Sequence, residues 1–321
     1  MNPGLASSGD TLRAFTTAAD QLFENLAQLK YGSLLIALGL FGLYLLARSR
    51  ATLNALRAAY PGQQVSWRKI WGAYVAAYGL NGVVPAGGGS IVQLVLSRNA
   101  IRGSSYSTVT SALCVGGLFD GLMAALVLAF AFTQGVFPKP KDFGGLESFD
   151  ISFFARHVPL TLFLVTGVLV AVIAFVGVFS RRHPSFWADL RQGFAILSDR
   201  RRYVIGMCLP QLAGWTLRVA SYYYLLDAFH VGASVPNAIL VIAAQLIAAI
   251  VPFTPGGAGV QQALLLVIFA STAPTDSVAV FSVGQQIAIT TFTLAQGFAA
   301  IFFVFKYRSF RAVLRDSKAQ K

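Results

Sequence analysis

Charged residues are scarce in this sequence. They make up 12% of its 321 residues, against 56% hydrophobic residues, whereas soluble domains carry about 25% charged residues. A helix needs about 20 mostly apolar residues to cross the hydrocarbon core of a membrane. The sequence has six long apolar stretches, at 31–47, 108–133, 158–180, 204–229, 237–273 and 277–305. Together they exclude an ordinary soluble domain and predict an all-α, polytopic integral membrane protein.

Histidine, cysteine and acidic residues are also few. There are three histidines, two cysteines, and 12 acidic residues against 25 Lys and Arg. The histidines lie at scattered loop positions, so no metal site is expected. No paired carboxylates, no Ser/His/Asp or Cys/His set and no phosphate loop is recognisable in the sequence. The sequence therefore favours a protein that is not an enzyme and that uses no cofactor.

The basic residues predict a topology. They concentrate between the apolar stretches, at 48–69, 181–203 and 306–321. Because cytoplasmic loops of membrane proteins are enriched in Lys and Arg, these three segments are expected to face the cytoplasm. The loop 134–157 has balanced charge and the link 230–236 has no Lys or Arg, so both are expected outside. The protein is thus expected in the cell membrane, with a basic cytoplasmic tail, an external N-terminus and no nucleic-acid partner.

The chain before the first apolar stretch, residues 1–30, is expected to hold a polar tail and an amphipathic helix. Apolar residues between Thr11 and Lys30 recur at every third or fourth position, which is typical of a helix lying at the membrane interface. A single transmembrane domain then covers 31–305, and the basic tail covers 306–321.

Two segments, 70–101 and 237–273, are broken in the middle by proline and glycine. Both breaks contain Pro-x-Gly-x-Gly: Pro85, Gly87 and Gly89, and Pro255, Gly257 and Gly259. The helical arms are about 15 residues or ~22 Å long, which is too short to cross a membrane comfortably. The charges of the flanking loops predict that each segment enters and leaves the membrane on the same side. We therefore predict two re-entrant helical hairpins, the first from the cytoplasm and the second from outside.

The two breaks belong to a repeat. From Pro85 to Pro255 the offset is 170 residues, and the same offset relates the flanking apolar stretches. A span–hairpin–span unit thus occurs twice, over about 31–134 and about 201–305. The predicted topology gives the two units opposite orientations, and the span at 158–180 supplies the reversal. Inverted repeats with broken helices are typical of transporters, whose substrate site lies near the midplane where the broken helices meet.

The residues at and after the breaks form the predicted substrate site. Unpaired backbone N–H groups at the start of a helix attract anions, and lipid cannot satisfy such groups. The predicted site residues in the two hairpins are Asn81, Pro85, Gly87, Gly88, Gly89, Gln93, Pro255, Gly256, Gly257, Gly259, Gln261 and Gln262. The alternatives are that the prolines and glycines only form tight turns, and that each amide only makes an interhelical hydrogen bond.

Two charged residues stand out near the middle of apolar stretches. Asp120 sits about halfway along 108–133, and Arg218 sits about halfway along 204–229. A charge in a membrane span costs at least ~2.5–3.5 kcal/mol, so each is a candidate for function. Two interpretations remain open. The residues form an ion pair that locks two spans together, or Arg218 meets a lipid phosphate and Asp120 balances its charge.

Three stretches resemble a known family: Asn81–Gly89 (NGVVPAGGG), Ile101–Asp120 (IRGSSYSTVTSALCVGGLFD) and Pro252–Gln262 (PFTPGGAGVQQ). They are similar to the transmembrane family of lysylphosphatidylglycerol synthase/flippase proteins, and the resemblance extends from about Asp10 onward. It implies a lipid flippase or a related lipid-handling membrane protein. The family's soluble aminoacyl-transfer domain has no counterpart in this sequence, so the resemblance does not imply that activity.

The sequence departs from the family pattern at three places. Gly116 and Gly117 stand where the family often has an acid–arginine pair. Gln285 or Gln286 replaces an arginine common in the last span, and Ser90 replaces an acid that often follows the first glycines. The resemblance therefore does not carry over the family's headgroup chemistry in detail.

These observations favour a transporter that moves an amphiphilic lipid, anionic or polyprenyl-linked, between membrane leaflets through a cavity at the repeat interface. Membrane lipids are its expected partners, with a lipid-synthesis or glycosylation protein as a further candidate. The alternatives are an integral-membrane enzyme or accessory subunit of lipid glycosylation or modification, and a pure interaction scaffold.

Overall fold

The computed structural model describes residues 29–84, 88–135, 184–249, 259–270 and 272–305, and over these it is helical without strands. The helices are α1 (Tyr31–Ala59), α2 (Trp67–Asn81), α3 (Gly88–Asn99), α4 (Tyr106–Thr133), α5 (Pro184–Gly193), α6 (Arg200–Tyr203), α7 (Leu209–Ala228), α8 (Val235–Ala248), α9 (Val260–Phe269) and α10 (Thr275–Ala299). A 3₁₀ turn, Ala195–Ser198, follows α5. Two π-helical turns, Val204–Cys208 and Ala300–Val304, join α6 to α7 and extend α10.

Three helices in the described ranges are long and apolar enough to cross a membrane: Tyr31–Ala59, Tyr106–Thr133 and Thr275–Val304. They indicate a multi-pass membrane protein, and the prediction of an all-α membrane protein is confirmed. The predicted interfacial helix up to residue 28, the span at 158–180 and the tail at 306–321 lie outside the described residues.

The first helix is longer than the sequence predicted. Its apolar stretch ends at Ala47, but α1 continues to Ala59. The start of the basic segment 48–69 is therefore part of a helix that packs in the bundle rather than a loop. The reason is that Leu53 and Leu56 beyond the basic residues are fully buried, so tertiary packing holds the helix together past the point where apolar composition ends.

Helices α1 and α7 pack along each other and form the centre of the bundle. At one end, the Lys30 ammonium lies 2.9 Å from the Asp227 carboxylate. At the other end, Asn54 Nδ2 donates to the Gly206 carbonyl at 2.7 Å. The two helices are therefore antiparallel. Apolar and aromatic side chains from both, including Phe41 and Tyr222, form the main core between these ends.

Helices α2 and α3 pack against each other as a short helical hairpin. They have 15 and 12 residues, or ~22 and ~18 Å as α-helix. The Gly89 N–H donates to Asn81 Oδ1 at 2.9 Å, which ties the start of α3 to the end of α2. A Cβ at Gly89 would collide with the Ala77 carbonyl oxygen. Glycine at this position thus allows the two helices to approach closely.

Helices α8 and α9 form a second contacting pair of short helices, with 14 and 10 residues. Ser234 caps α8 by accepting from Asn237 N at 3.2 Å, and α9 follows Gly259, whose φ is +86°. The order of a long helix, two short helices and a long helix thus occurs twice, in α1–α4 and in α7–α10.

Candidate functional site

A polar cavity of about 500 Å³ lies inside the bundle. We call it the central cavity. It is lined by α1, α2, α3, α4, α7 and α8, with polar walls made of Tyr44, Arg48, Tyr74, Tyr78, Asn81, Ser90, Gln93, Asp120 and Arg218. The hairpin residues Asn81 and Ser90 lie at the tip where α2 ends and α3 begins. The hairpin tip therefore forms one wall, and long helices α1, α4 and α7 form the others.

Four residues of the predicted site meet in this cavity: Asn81, Gln93, Asp120 and Arg218. They come from four different helices and are separated by up to 137 residues in sequence. Gly88 and Gly89 lie at the start of α3 in the same hairpin.

The described predicted residues of the second break, Gly259, Gln261 and Gln262, do not line the central cavity. Gln261 is buried. Gln262 accepts from the Gly259 N–H at 2.6 Å and donates to Gln286 Oε1 at 2.6 Å, so its amide caps α9 and links it to α10. Within the described part of this segment, Leu246 of α8 lines the cavity. The predicted residues Pro85, Gly87, Pro255, Gly256 and Gly257 lie outside the described residues.

Asp120 pairs with Arg48, so the ion pair between Asp120 and Arg218, which was one of the two open interpretations, is not formed. Both terminal nitrogens of the Arg48 guanidinium donate to the Asp120 carboxylate. This bidentate, charge-assisted geometry is stronger than a hydrogen bond between neutral groups. Trp215 Nε1 donates to the same carboxylate at 3.0 Å. Because α1 is longer than predicted, Arg48 belongs to the bundle, where sequence reasoning had placed a cytoplasmic segment.

Arg48 is anchored by two further groups. Its Nε donates to the Tyr74 hydroxyl at 3.0 Å, and its Nη1 also donates to Gln211 Oε1. A signal for Arg48 was present in the sequence. It follows Phe41 and Tyr44 by seven and four residues, which is the spacing of one helix face, and both aromatic residues are buried.

Arg218 has a different environment. Its Nη2 donates to Gln245 Oε1 at 2.9 Å, and its guanidinium lies 5.3 Å from the Trp215 ring centroid and 6.0 Å from that of Tyr44. Its Nε is buried and has no hydrogen-bond partner among the described residues. The ion pairs in the described ranges do not include it. Two aromatic rings and one amide, rather than a carboxylate, therefore stabilise the Arg218 cation.

The formal charges around the central cavity sum to +1, because Arg48 and Arg218 face the single carboxylate of Asp120. A buried cation without a carboxylate is unfavourable by several kcal/mol unless a ligand or water compensates it. The cavity is therefore suited to an anion.

A second, apolar cavity of about 640 Å³ adjoins this site. We call it the apolar groove. It lies between α4, α7 and α8, and side chains such as Leu126, Phe130, Val219 and Ile239 line it. Trp215 lines both the groove and the central cavity. The two spaces thus place a cationic region beside an apolar one, and they share Trp215 in their walls. The described residues contain no group of three metal-ligating side chains.

A family model covers most of the chain. The model of the lysylphosphatidylglycerol synthase TM region matches residues 12–297. No curated protein matches the chain significantly. The matched range includes every helix that lines the two cavities and the three stretches that carry the resemblance. This chain belongs to the family of the lysylphosphatidylglycerol synthase transmembrane region.

Proposed function

We propose that this protein moves an amphiphilic lipid with an anionic headgroup between the two leaflets of the membrane. The observation that carries the proposal is the pairing of the two spaces. The central cavity has a formal charge of +1, and the apolar groove lies on the other side of Trp215. A lipid has the same division into an anionic head and apolar chains. The family, whose name connects it with the synthesis of a membrane lipid, supports a role with lipids.

In this proposal Arg218 binds the headgroup phosphate. Its planar guanidinium can donate to two phosphate oxygens at once, and its buried Nε has no partner among the described residues. Arg48 is already neutralised by Asp120, so its role is to complete the polar wall. Asn81 and Gln93 of the hairpin supply uncharged donors at the wall formed by α2 and α3.

The depth of these residues fits a site near the membrane midplane. Arg218 lies nine residues before Asp227 on α7, or ~14 Å along the helix. Asp120 lies 14 residues after Tyr106, or ~21 Å along an α4 that is ~42 Å long. A site at this depth is within reach of both leaflets if the surrounding helices move.

The mechanism that we propose is alternating access. The recurring order of long and short helices supports two inverted repeats, in which α2–α3 and α8–α9 are the re-entrant hairpins. Rocking of one repeat against the other would open the central cavity to each leaflet in turn. The short arms of both pairs and Gly89 at the α2–α3 contact support this arrangement.

The test is lipid transfer in reconstituted vesicles. Phosphatidylglycerol carries a fluorescent label on an acyl chain, and its transfer is measured as the fraction of label that a membrane-impermeant quencher no longer reaches. Labelled phosphatidylcholine is measured in parallel. Arg218→Gln should slow phosphatidylglycerol transfer by about 10-fold or more, because a hydrogen bond to a charged group is worth ~1.5–3 kcal/mol. Arg102→Gln is the matched control, since Arg102 is exposed between α3 and α4. Wild-type rates in both variants would refute the proposed role of Arg218, and absence of transfer by the wild type would refute the function.

A further inference from the structure

A third cavity lies at the far end of α1 from the Lys30–Asp227 pair. It has a volume of about 470 Å³ and lies between the last turns of α1, the 3₁₀ turn, α6 and the π-helical turn before α7. We call it the basic cavity. Arg57, the first arginine in its wall, lies nine residues beyond Arg48 on α1, which is ~14 Å along the helix. The basic cavity is therefore separate from the central cavity.

Three exposed arginines line the basic cavity: Arg57, Arg201 and Arg202. Arg202 Nε lies 3.5 Å from a carboxylate oxygen of Asp199, an exposed pair. Arg57 donates from Nη2 to the Val65 carbonyl at 3.2 Å, which uses one of the five N–H donors of a guanidinium. The Arg201 side chain has no hydrogen-bond or ion-pair partner in the described ranges. The cavity thus presents three cations against a single carboxylate.

Hydrogen bonds and a buried side chain hold the walls of the basic cavity together. Asn54 Nδ2 donates to the Gly206 carbonyl at 2.7 Å and ties α1 to the π-helical turn. Gln192 Nε2 donates to the Ala59 carbonyl at 2.9 Å and ties α5 to the end of α1. Ile196 is buried in the floor. The backbones that carry the arginines are therefore held in place before any ligand binds.

An apolar stripe leads away from this cavity along the π-helical turn and the first residues of α7. Ile205 lies in the wall of the basic cavity and is 54% exposed, Leu209 is 53% exposed and Leu212 is 49% exposed. They are spaced by four and three residues, so they lie on one helix face. Leu212 is also part of the wall of the apolar groove. The stripe thus connects a cluster of arginines to an apolar groove along the π-helical turn and the start of α7.

We propose that the basic cavity is a second binding site for an anionic phospholipid, whose phosphate Arg57 and Arg201 bind and whose acyl chains lie on the Ile205–Leu212 stripe. Arginine forks match phosphate oxygens, and basic side chains at a membrane surface attract anionic lipids. A soluble phosphate compound would share the headgroup chemistry but would not use the stripe. The proposal concerns binding and holds whether or not the protein transfers lipids.

The test is lipid binding measured by native mass spectrometry of the full chain in neutral detergent. Phosphatidylglycerol is titrated against phosphatidylcholine, in an Arg218→Gln background that weakens headgroup binding in the central cavity. The Arg218→Gln protein should bind phosphatidylglycerol more tightly than phosphatidylcholine. Adding Arg57→Gln and Arg201→Gln should lower that affinity at least about 10-fold. Arg200→Gln is the matched control, because Arg200 is exposed on the same short helix but does not line the cavity, and it should change the affinity less than about twofold.

Three results would overturn the proposal. The first is equal loss of binding in Arg200→Gln, which would indicate diffuse charge attraction. The second is unchanged binding in the Arg57 and Arg201 variant. The third is full displacement of the lipid by millimolar inorganic phosphate, which would identify a site for a soluble phosphate. If the double substitution prevents folding, Arg201→Gln alone decides, since its side chain is exposed and has no described partner to lose.

Discussion

Replacing the two members of the Arg48–Asp120 pair, singly and together, tests the central cavity most directly. Arg48→Gln leaves the Asp120 carboxylate with the Trp215 N–H as its donor. Asp120→Asn leaves the Arg48 guanidinium with Gln211 and Tyr74. The double variant removes both charges and keeps side chains of similar size that can hydrogen-bond to each other.

The expected magnitudes follow from burial. Removing one partner of a buried ion pair costs ~3–5 kcal/mol, because the other charge stays uncompensated. The Asp120 side chain is 32% exposed and that of Arg48 is 11% exposed, so cavity water reaches the carboxylate more easily than the guanidinium. We therefore expect about 2–3 kcal/mol of destabilisation for Arg48→Gln and about 3–4 kcal/mol for Asp120→Asn. The double variant should lose about 1 kcal/mol, since neither member of the pair is left as an uncompensated charge.

The measurement is unfolding by SDS in mixed micelles, analysed as a double-mutant cycle. Losses that simply add in the double variant would refute the ion pair and its place in this cavity. Lipid transfer is measured on the same four proteins and normalised to the folded amount. Around the cavity the formal charge is +1 in the wild type and in the double variant, +2 in Asp120→Asn and 0 in Arg48→Gln. The double variant should transfer phosphatidylglycerol faster than Arg48→Gln, and the opposite order would contradict the charge argument.

Three further predictions concern topology and glycine. In a cysteine-free background of intact cells, Gln64→Cys should be shielded from an impermeant thiol reagent and Ala233→Cys should react; external labelling of both would contradict the predicted topology. Gly89→Ala should cost about 1–3 kcal/mol in SDS unfolding, because its Cβ collides with a backbone carbonyl of α2. Gly117→Ala, whose Cβ would meet no atom within 4 Å, is its control and should be neutral or stabilising; equal costs would show that the hairpin adjusts to a methyl group. Gly259→Ala should cost about 1 kcal/mol although its Cβ meets nothing within 4 Å, because its φ of +86° disfavours an L residue; a neutral result would mean that the backbone relaxes.

Much of the fold class could be predicted from local sequence. Long apolar stretches, scarce charge and the three family-like stretches led to an all-helical membrane protein of this family. Asp120, Arg218 and the amides beside the first break could each be identified from the sequence alone. A polar residue in an apolar stretch is unfavourable in a membrane, so each is a candidate for function. These four positions line one cavity because their helices converge, and the convergence itself was inferred only from the repeat.

Pairing between side chains depended on the tertiary structure. An α-helix has 3.6 residues per turn. The direction of a side chain therefore depends on the rotation and register of its helix, which amino-acid composition does not specify. The sequence by itself determined that Asp120 and Arg218 would need partners in the membrane. Only the tertiary structure decided that Arg48 pairs with Asp120, that Gln245 and two aromatic rings hold Arg218, and that Trp215 stands between a cationic cavity and an apolar one. The physical reason is that these contacts join residues on different helices, and the packing of α1, α4, α7 and α8 brings them together.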